Sequence, residues 1–172
     1  MQLKYLPNII SLFRLILVIP FIYFFVNDNM TLAFYIFLLA AFSDGLDGWI
    51  ARYFNCQSHL GLILDPLADK ILIITCYLLM AFKSILPLWF VGIVLFRDSA
   101  ILLGSFITLI ILKQDRPLSP SLVSKINTVL QMLQIVLCLI QSAFHHIPHQ
   151  ILLGLIFLVL TTSTISFFHY LY

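Results

Sequence analysis

The amino-acid sequence predicts an all-α membrane protein, a bundle of six transmembrane helices. Three observations carry that expectation. Of the 172 residues, 62% are hydrophobic and 9% charged, with a mean hydropathy of +1.10, a balance that a water-exposed globular surface does not reach. Apolar runs of the about 20 residues needed to cross a hydrocarbon core follow one another along the chain. The connectors between them are short, near Asp28, Asn55, Lys83, Asp115 and His146, so residues 1–172 read as a single membrane domain with no soluble domain, internal repeat or low-complexity tract.

The first run, 8–26, follows Lys4 but contains Arg14, and no small-residue cleavage site comes after it. It is therefore expected to be a retained span and not a signal peptide. The second and third runs, 31–53 and 60–82, carry most of the acidic residues around the connector that joins them. The fourth, 86–112, contains Arg97 and Asp98; the fifth, 120–143, carries Ser121, Ser124, Lys125, Thr128 and Gln131, which read as one broad face. The sixth, 148–170, is entered past His145, His146 and His149, expected to cap a membrane interface. A cytoplasmic N-terminus puts Lys4, Arg52, Lys113 and Arg116 on one side and leaves only Lys83 in the opposite loops, as the positive-inside rule requires. Both termini then face the cytoplasm, and the location expected is a bacterial inner membrane. A formal charge of +2 without a basic run gives no footprint for nucleic acid. Cys56, Cys76 and Cys138 have neither metal-ligand nor redox spacing and read as free structural thiols.

All seven acidic residues are Asp, and five of them (Asp44, Asp47, Asp65, Asp69, Asp98) fall within the apolar runs or at their edges. A carboxylate at the centre of a membrane helix costs at least ~2.5 kcal/mol on the gentlest insertion scale, so such residues are functional by default. Positions 44, 47, 48, 51 and 52 share one helix face by the i, i+3, i+4 rule, and 61, 65 and 69 form a stripe on the next helix. Only residues 53–60 separate the two groups. Antiparallel helices joined so tightly are expected to pack face to face, which would gather four carboxylates in one pocket. Bare carboxylates there repel one another, and one or two divalent cations are the simplest neutralisation. An all-oxygen set favours Mg2+ or Mn2+ over zinc. Gly48, Ala51 and Gly61 remove bulk where a ligand approaches, or serve helix packing, and Arg52 offers a bidentate donor suited to phosphate. Metals held by carboxylates beside an Arg suit a diphosphate, and a spare carboxylate can deprotonate an attacking hydroxyl. The residues themselves lead as far as metal-assisted transfer on a phosphate ester at the membrane surface.

The pattern Asp44-x-x-Asp47-Gly48-x-x-Ala51-Arg52, eight residues, then Gly61-x-x-x-Asp65-x-x-x-Asp69 resembles the full signature of the CDP-alcohol phosphatidyltransferases. That resemblance implies a phosphatidyl group moved from CDP-diacylglycerol to an alcohol by a homodimeric membrane enzyme. It implies that Asp44, Asp47 and Asp65 hold two metal ions, Mg2+ or Mn2+, with Asp69 completing the second site and acting as general base. Gly48, Arg52 and Ser58 would contact the CDP-lipid, with Ala51 and Gly61 in the same binding set. Pro7-Asn8-Ile9-Ile10 is similar to the family's opening segment, where Asn8 either helps hold the nucleotide or simply starts the helix.

The acceptor is open at this stage. Leu6-Pro7-Asn8 with Phe13-Arg14, and Asp65-Pro66-Leu67-Ala68-Asp69-Lys70, resemble enzymes that use glycerol 3-phosphate to make phosphatidylglycerophosphate, the preferred expectation. Arg97-Asp98 and Ser124-Lys125-Ile126-Asn127-Thr128 resemble the CDP-lipid-dependent cardiolipin synthases, whose acceptor is phosphatidylglycerol. Arg97 and Lys125 are the candidate acceptor-binding residues; Arg97 and Asp98 could equally form an ion pair that only fixes the bundle. Membrane prenyltransferases and a cation-transport protein are the competing classes. Prenyltransferases have more spans and a different Asp spacing, and a cation pathway would call for further acids across the bilayer, where the later spans supply Arg and Lys.

Overall fold

The computed structural model describes the backbone of residues 6–54, 61–110 and 122–171 and the side chains of residues 11–43, 70–104 and 122–168. Six α-helices account for the secondary structure of the described residues: α1 Leu6–Val26, α2 Met30–Phe54, α3 Gly61–Phe82, α4 Leu88–Ile110, α5 Leu122–Phe144 and α6 His149–Leu171. They are 21 to 25 residues long, and at 1.5 Å per residue each spans about 30 Å or more. Among the described residues two helical stretches, Leu122–Phe144 and His149–Phe168, are long and apolar enough to cross a membrane; Ser11–Val26, Met30–Ser43 and Lys70–Phe82 are shorter apolar helices.

The helix ends are set by short polar connections. Asp28 ends α1 in the left-handed region (φ 61°), with the Asn29 N–H bonded to the Phe24 carbonyl at 2.9 Å. Asn29 then caps α2, its side-chain oxygen accepting from the Leu32 N–H at 3.3 Å, which satisfies one of the amides left over at a helix start. Ser84 and His145 repeat the left-handed stop after α3 and α5 (φ 58° and 57°). Pro87 and Pro148 precede α4 and α6, and their carbonyls accept from Val91 and Ile151 at 3.2 and 3.0 Å.

The chain divides into two compact units, Met1–Leu79 with Cys138–His146 and Met80–Leu137 with Ile147–Tyr172. In the first, α1 packs on α2. Ser11, Arg14, Val18, Phe21 and Phe25 form the buried stripe of α1, and Ala33, Phe37 and Ala40 that of α2, both at the i, i+3, i+4 spacing of one helix face. Ala33 and Ala40 let the backbones approach, as small residues do between membrane helices. The Phe21 ring meets Phe25 and Phe37 at 5.7 and 6.2 Å between centroids. Outward positions such as Ile19, Tyr23, Tyr35 and Phe42 are large, apolar or aromatic and exposed, the pattern of a lipid-facing surface. In the second unit α4 packs on α6, Phe96 against Phe167, and both helices reach α5 through hydrogen bonds.

Candidate functional site

The acidic motif falls on two helices. Positions 44, 47, 48, 51 and 52 lie in the last turns of α2, and Gly61, Asp65 and Asp69 in the first turns of α3. The buried stripe of α2 (Ala33, Phe37, Ala40), continued at the same spacing, falls on positions 44, 47 and 51. The buried Ile73, Cys76 and Met80 of α3, traced backwards, fall on positions 69 and 65. Positions 44, 47, 51, 65 and 69 thus continue the spacing of the buried stripes of their helices. The side chains of Asn8, Asp44, Asp47, Gly48, Ala51, Arg52, Gly61, Asp65 and Asp69 lie outside the described residues, as does Ser58 entirely. Among the described residues no group of three or more His, Cys, Asp or Glu could hold a metal ion. Arg14, which the sequence marked as a charge in the first span and as part of the Phe13-Arg14 resemblance, is wholly buried on the stripe of α1 and is not without a partner.

The second candidate region is fully described, and it lies in the second unit. Arg97 and Asp98, in the middle of α4, are 3% and 0% exposed and form an ion pair, Arg97 Nη1 to Asp98 Oδ1 at 2.6 Å. The other terminal nitrogen of Arg97 donates to Ser124 Oγ on α5 at 2.9 Å and to Ser166 Oγ on α6. Gln131 Nε2 donates to the second oxygen of Asp98 at 3.2 Å. One turn before Gln131, Asn127 Oδ1 accepts from Thr162 and Ser163 of α6 at 2.8 and 3.0 Å. Arg97 thus ties α4 to α5 and α6 through a group in which positive and negative charge already cancel, and Asn127 makes a second, separate tie between α5 and α6. Three buried atoms of these residues have no hydrogen-bond partner: Arg97 Nε, Asn127 Nδ2 and Gln131 Oε1.

This arrangement divides the two candidate acceptor residues. Arg97 is at the centre of the network, whereas Lys125 is exposed, beside the exposed Ile126 and Val129. The buried stripe of α5 is Ser124, Asn127, Gln131 and Gln134, so the broad polar face read from the sequence splits in two. The ion pair between Arg97 and Asp98 that the sequence left open is present, together with hydrogen bonds beyond it. Sequence reasoning used none of the α6 hydroxyls and met Asn127 only inside a resemblance. The available signal was the run Thr161-Thr162-Ser163-Thr164 with Ser166 inside an otherwise apolar helix.

A family model described as CDP-alcohol phosphatidyltransferase matches residues 4–165. Among curated proteins the chain is similar to a probable cardiolipin synthase (CMP-forming) of Drosophila melanogaster, 35% identical over 92% of this chain and 54% of that one. It is similar to the cardiolipin synthase (CMP-forming) of Homo sapiens, 30% identical over 96% of this chain and 61% of that one. A CDP-diacylglycerol–glycerol-3-phosphate 3-phosphatidyltransferase of Aquifex aeolicus is 35% identical over 72% of this chain and 68% of its own length. The chain thus spans little more than half the length of the first two relatives.

Proposed function

The chain belongs to the CDP-alcohol phosphatidyltransferase family, and within it we propose that the protein transfers a phosphatidyl group from CDP-diacylglycerol to phosphatidylglycerol, releasing CMP. The observation that carries this choice of acceptor is that similar proteins covering nearly all of this chain, among them those of Drosophila melanogaster and Homo sapiens, are named cardiolipin synthases (CMP-forming). It reverses the preference for glycerol 3-phosphate drawn from the sequence. The charge balance around Arg97 supports the reversal: its guanidinium is already neutralised by Asp98 at 2.6 Å, and a free phosphomonoester dianion needs uncompensated cations. Glycerol 3-phosphate is the second reading, favoured by the Aquifex aeolicus relative.

The step we propose is displacement at phosphorus. The primary hydroxyl oxygen of the acceptor bonds to the lipid-bearing phosphorus of CDP-diacylglycerol, the bond from that phosphorus to the bridging oxygen breaks, and CMP leaves with the bridging oxygen. The hydroxyl proton passes to the carboxylate of Asp69. Arg52 binds the diphosphate, with Asn8, Gly48, Ala51, Ser58 and Gly61 forming the rest of the CDP-lipid site. The all-oxygen set Asp44, Asp47, Asp65 and Asp69 fits hard divalent cations, and the α2 and α3 registers that bring these positions into line with buried stripes agree with that use. Two Mg2+ or Mn2+ ions bound there would supply neutralisation of the diphosphate charge. We further propose that all six helices cross the membrane, with the acidic motif on the cytoplasmic face of a bacterial inner membrane, and that the protein acts as a homodimer.

An acceptor screen tests this reading. Purified protein, CDP-diacylglycerol and Mg2+ or Mn2+ are supplied with phosphatidylglycerol or glycerol 3-phosphate, and CMP and lipid product are followed. CMP release with phosphatidylglycerol and formation of cardiolipin are expected. Turnover with glycerol 3-phosphate alone would overturn the choice of acceptor, and no CMP release with any alcohol would overturn the transferase reading of this chain.

A further inference from the structure

Among the described residues of the first unit, Arg14 is the only charged side chain that is wholly buried; Asp28 is exposed and Lys70 half-buried. A guanidinium enclosed between apolar helices needs a counter-charge close by, because burying it alone is costly, and Arg14 has a partner within the chain. The register of α1 on α2 tells which carboxylate is level with it. The two helices run antiparallel from the short connection at Asp28 and pack on each other, and the Phe21 and Phe37 rings meet at 6.2 Å. Three residues from that ring pair toward the acidic motif, Val18 and Ala40 are both buried; four residues the other way, so are Phe25 and Ala33. Seven residues from the ring pair, about 10 Å along each helix, stand Arg14 and position 44. Seven residues make nearly two full turns, so both positions return to the face that carries the rings. Pro20 does not interrupt that face on α1, where the buried stripe runs past it from Phe25 to Ser11, and on α2 burial continues to Ser43, beside position 44. Asp28 lies at the far end of α1, about 20 Å from Arg14 by helix rise, and position 47 is level with Ser11.

We propose that Arg14 is the resident counter-cation of the acidic motif: its guanidinium pairs with the carboxylate of Asp44 and holds that side chain in place before any metal binds. Arg14 is a positioning residue, acting through Asp44 and not on the reacting atoms. The pairing also sets how tightly the motif binds metal, a consequence that rests on the metal-binding reading of the four carboxylates given above. An ionised carboxylate offers about four lone-pair sites, so Asp44 can ligate a cation while it accepts from Arg14. A fixed positive charge next to that ligand nevertheless repels a dication. Arg14 therefore stabilises the motif when it is empty and weakens its hold on the metal, so that the folded protein does not depend on metal being bound.

Two measurements on the full chain in detergent test the pair and its consequence. The first is thermal unfolding in excess chelator. Unpaired carboxylates repel one another, so neutralising one without a partner should raise the melting temperature. Because Asp44 is paired, Asp44→Asn is expected to lower it by about 6 °C or more, and adding Arg14→Met should restore most of that loss. Asp47→Asn should not lower it. An unchanged or raised melting temperature in Asp44→Asn overturns the pair, as does a double variant no more stable than the single one, or an equal fall in Asp47→Asn. The second measurement is Mn2+ affinity without substrate, followed by the electron paramagnetic resonance signal of the free ion. Arg14→Met is expected to bind Mn2+ about tenfold tighter or more, the effect of removing one charge about 6 Å from a dication even at the screening of water. Arg14→Lys, which keeps the charge, should stay within about threefold of wild type. A merely structural Arg14 would give weaker binding in Arg14→Met; that result, or an unchanged Kd, overturns the proposal. Where Arg14→Met does not fold, Arg14→Gln replaces it. Absence of Mn2+ binding in wild type and variant alike refutes the metal reading, and the thermal comparison in chelator then decides the pair by itself.

Discussion

Replacing Asp98 by Asn removes one negative charge and almost no volume, and it should be the most damaging conservative change in the second unit. Asp98 is 0% exposed, accepts from Arg97 at 2.6 Å and from Gln131 at 3.2 Å, and its loss leaves the guanidinium of Arg97, itself 3% exposed, buried without a counter-charge. Breaking one side of such a pair costs about 3–5 kcal/mol, a large part of the about 5–15 kcal/mol that holds a typical domain folded. At roughly 2–4 °C per kcal/mol for a chain of this size, the melting temperature in detergent should fall by roughly 6–20 °C. The thermal unfolding of wild type, Asp98→Asn, and Asp98→Asn combined with Arg97→Met gives the answer. The double variant should melt above the single one, because no charge then stays buried unpaired. An unchanged melting temperature for Asp98→Asn, or a double variant less stable than the single, would show that the pair does not hold the three helices as described.

Three further outcomes follow from the placement of the other residues. Excess chelator should abolish CMP release, and Asp44→Asn or Asp65→Asn should do the same with Mg2+ or Mn2+ present; full activity in chelator would refute the metal requirement. Asp69→Asn should slow transfer by about 10²–10⁴-fold, the usual contribution of a positioned base, while CDP-diacylglycerol binding measured on the same preparation stays largely intact; near-normal turnover would remove Asp69 as the base. Lys125→Ala, at an exposed position, should leave the melting temperature within about 1–2 °C, since surface changes are usually worth less than 0.5 kcal/mol. If Lys125 contacts the acceptor, the KM for acceptor alone will rise; an equal rise for CDP-diacylglycerol would deny it that role.

The helices were legible because their cause is local. Long apolar runs broken by polar, left-handed or proline-bearing connections fix where each begins and ends, and the runs expected at 31–53 and 148–170 are the helices Met30–Phe54 and His149–Leu171. The acidic motif was legible for a related reason: charges inside apolar runs have no ordinary explanation. The polar network was not, because one helix can present polar residues to two surroundings. Ser124 and Lys125 are neighbours in sequence but 100° apart around α5, and one is buried while the other is exposed. Hydroxyls in an apolar helix are ambiguous for another reason. Thr161 and Thr164 bond carbonyls of their own helix, at Leu158 and Leu160, whereas Ser163 and Ser166 reach α5 and α4. Sequence spacing does not tell these two uses apart, since the self-bonded alternative is open to every Ser or Thr on a helix.

Charge balance separates what the two polar regions can bind. Between residues 44 and 70 the chain carries four Asp, one Arg and one Lys, an excess of negative charge on helices whose inward registers are apolar on either side. On the proposed reading, such a region takes cations from outside the chain. Two dications would cancel the four carboxylates, and Arg52 with Lys70 would then match the two negative charges of a diphosphate, so that the filled site is neutral at the edge of a medium that penalises net charge. Around Arg97 the opposite holds, because Asp98 supplies the counter-charge from the next residue and only neutral hydrogen-bonding capacity is left over.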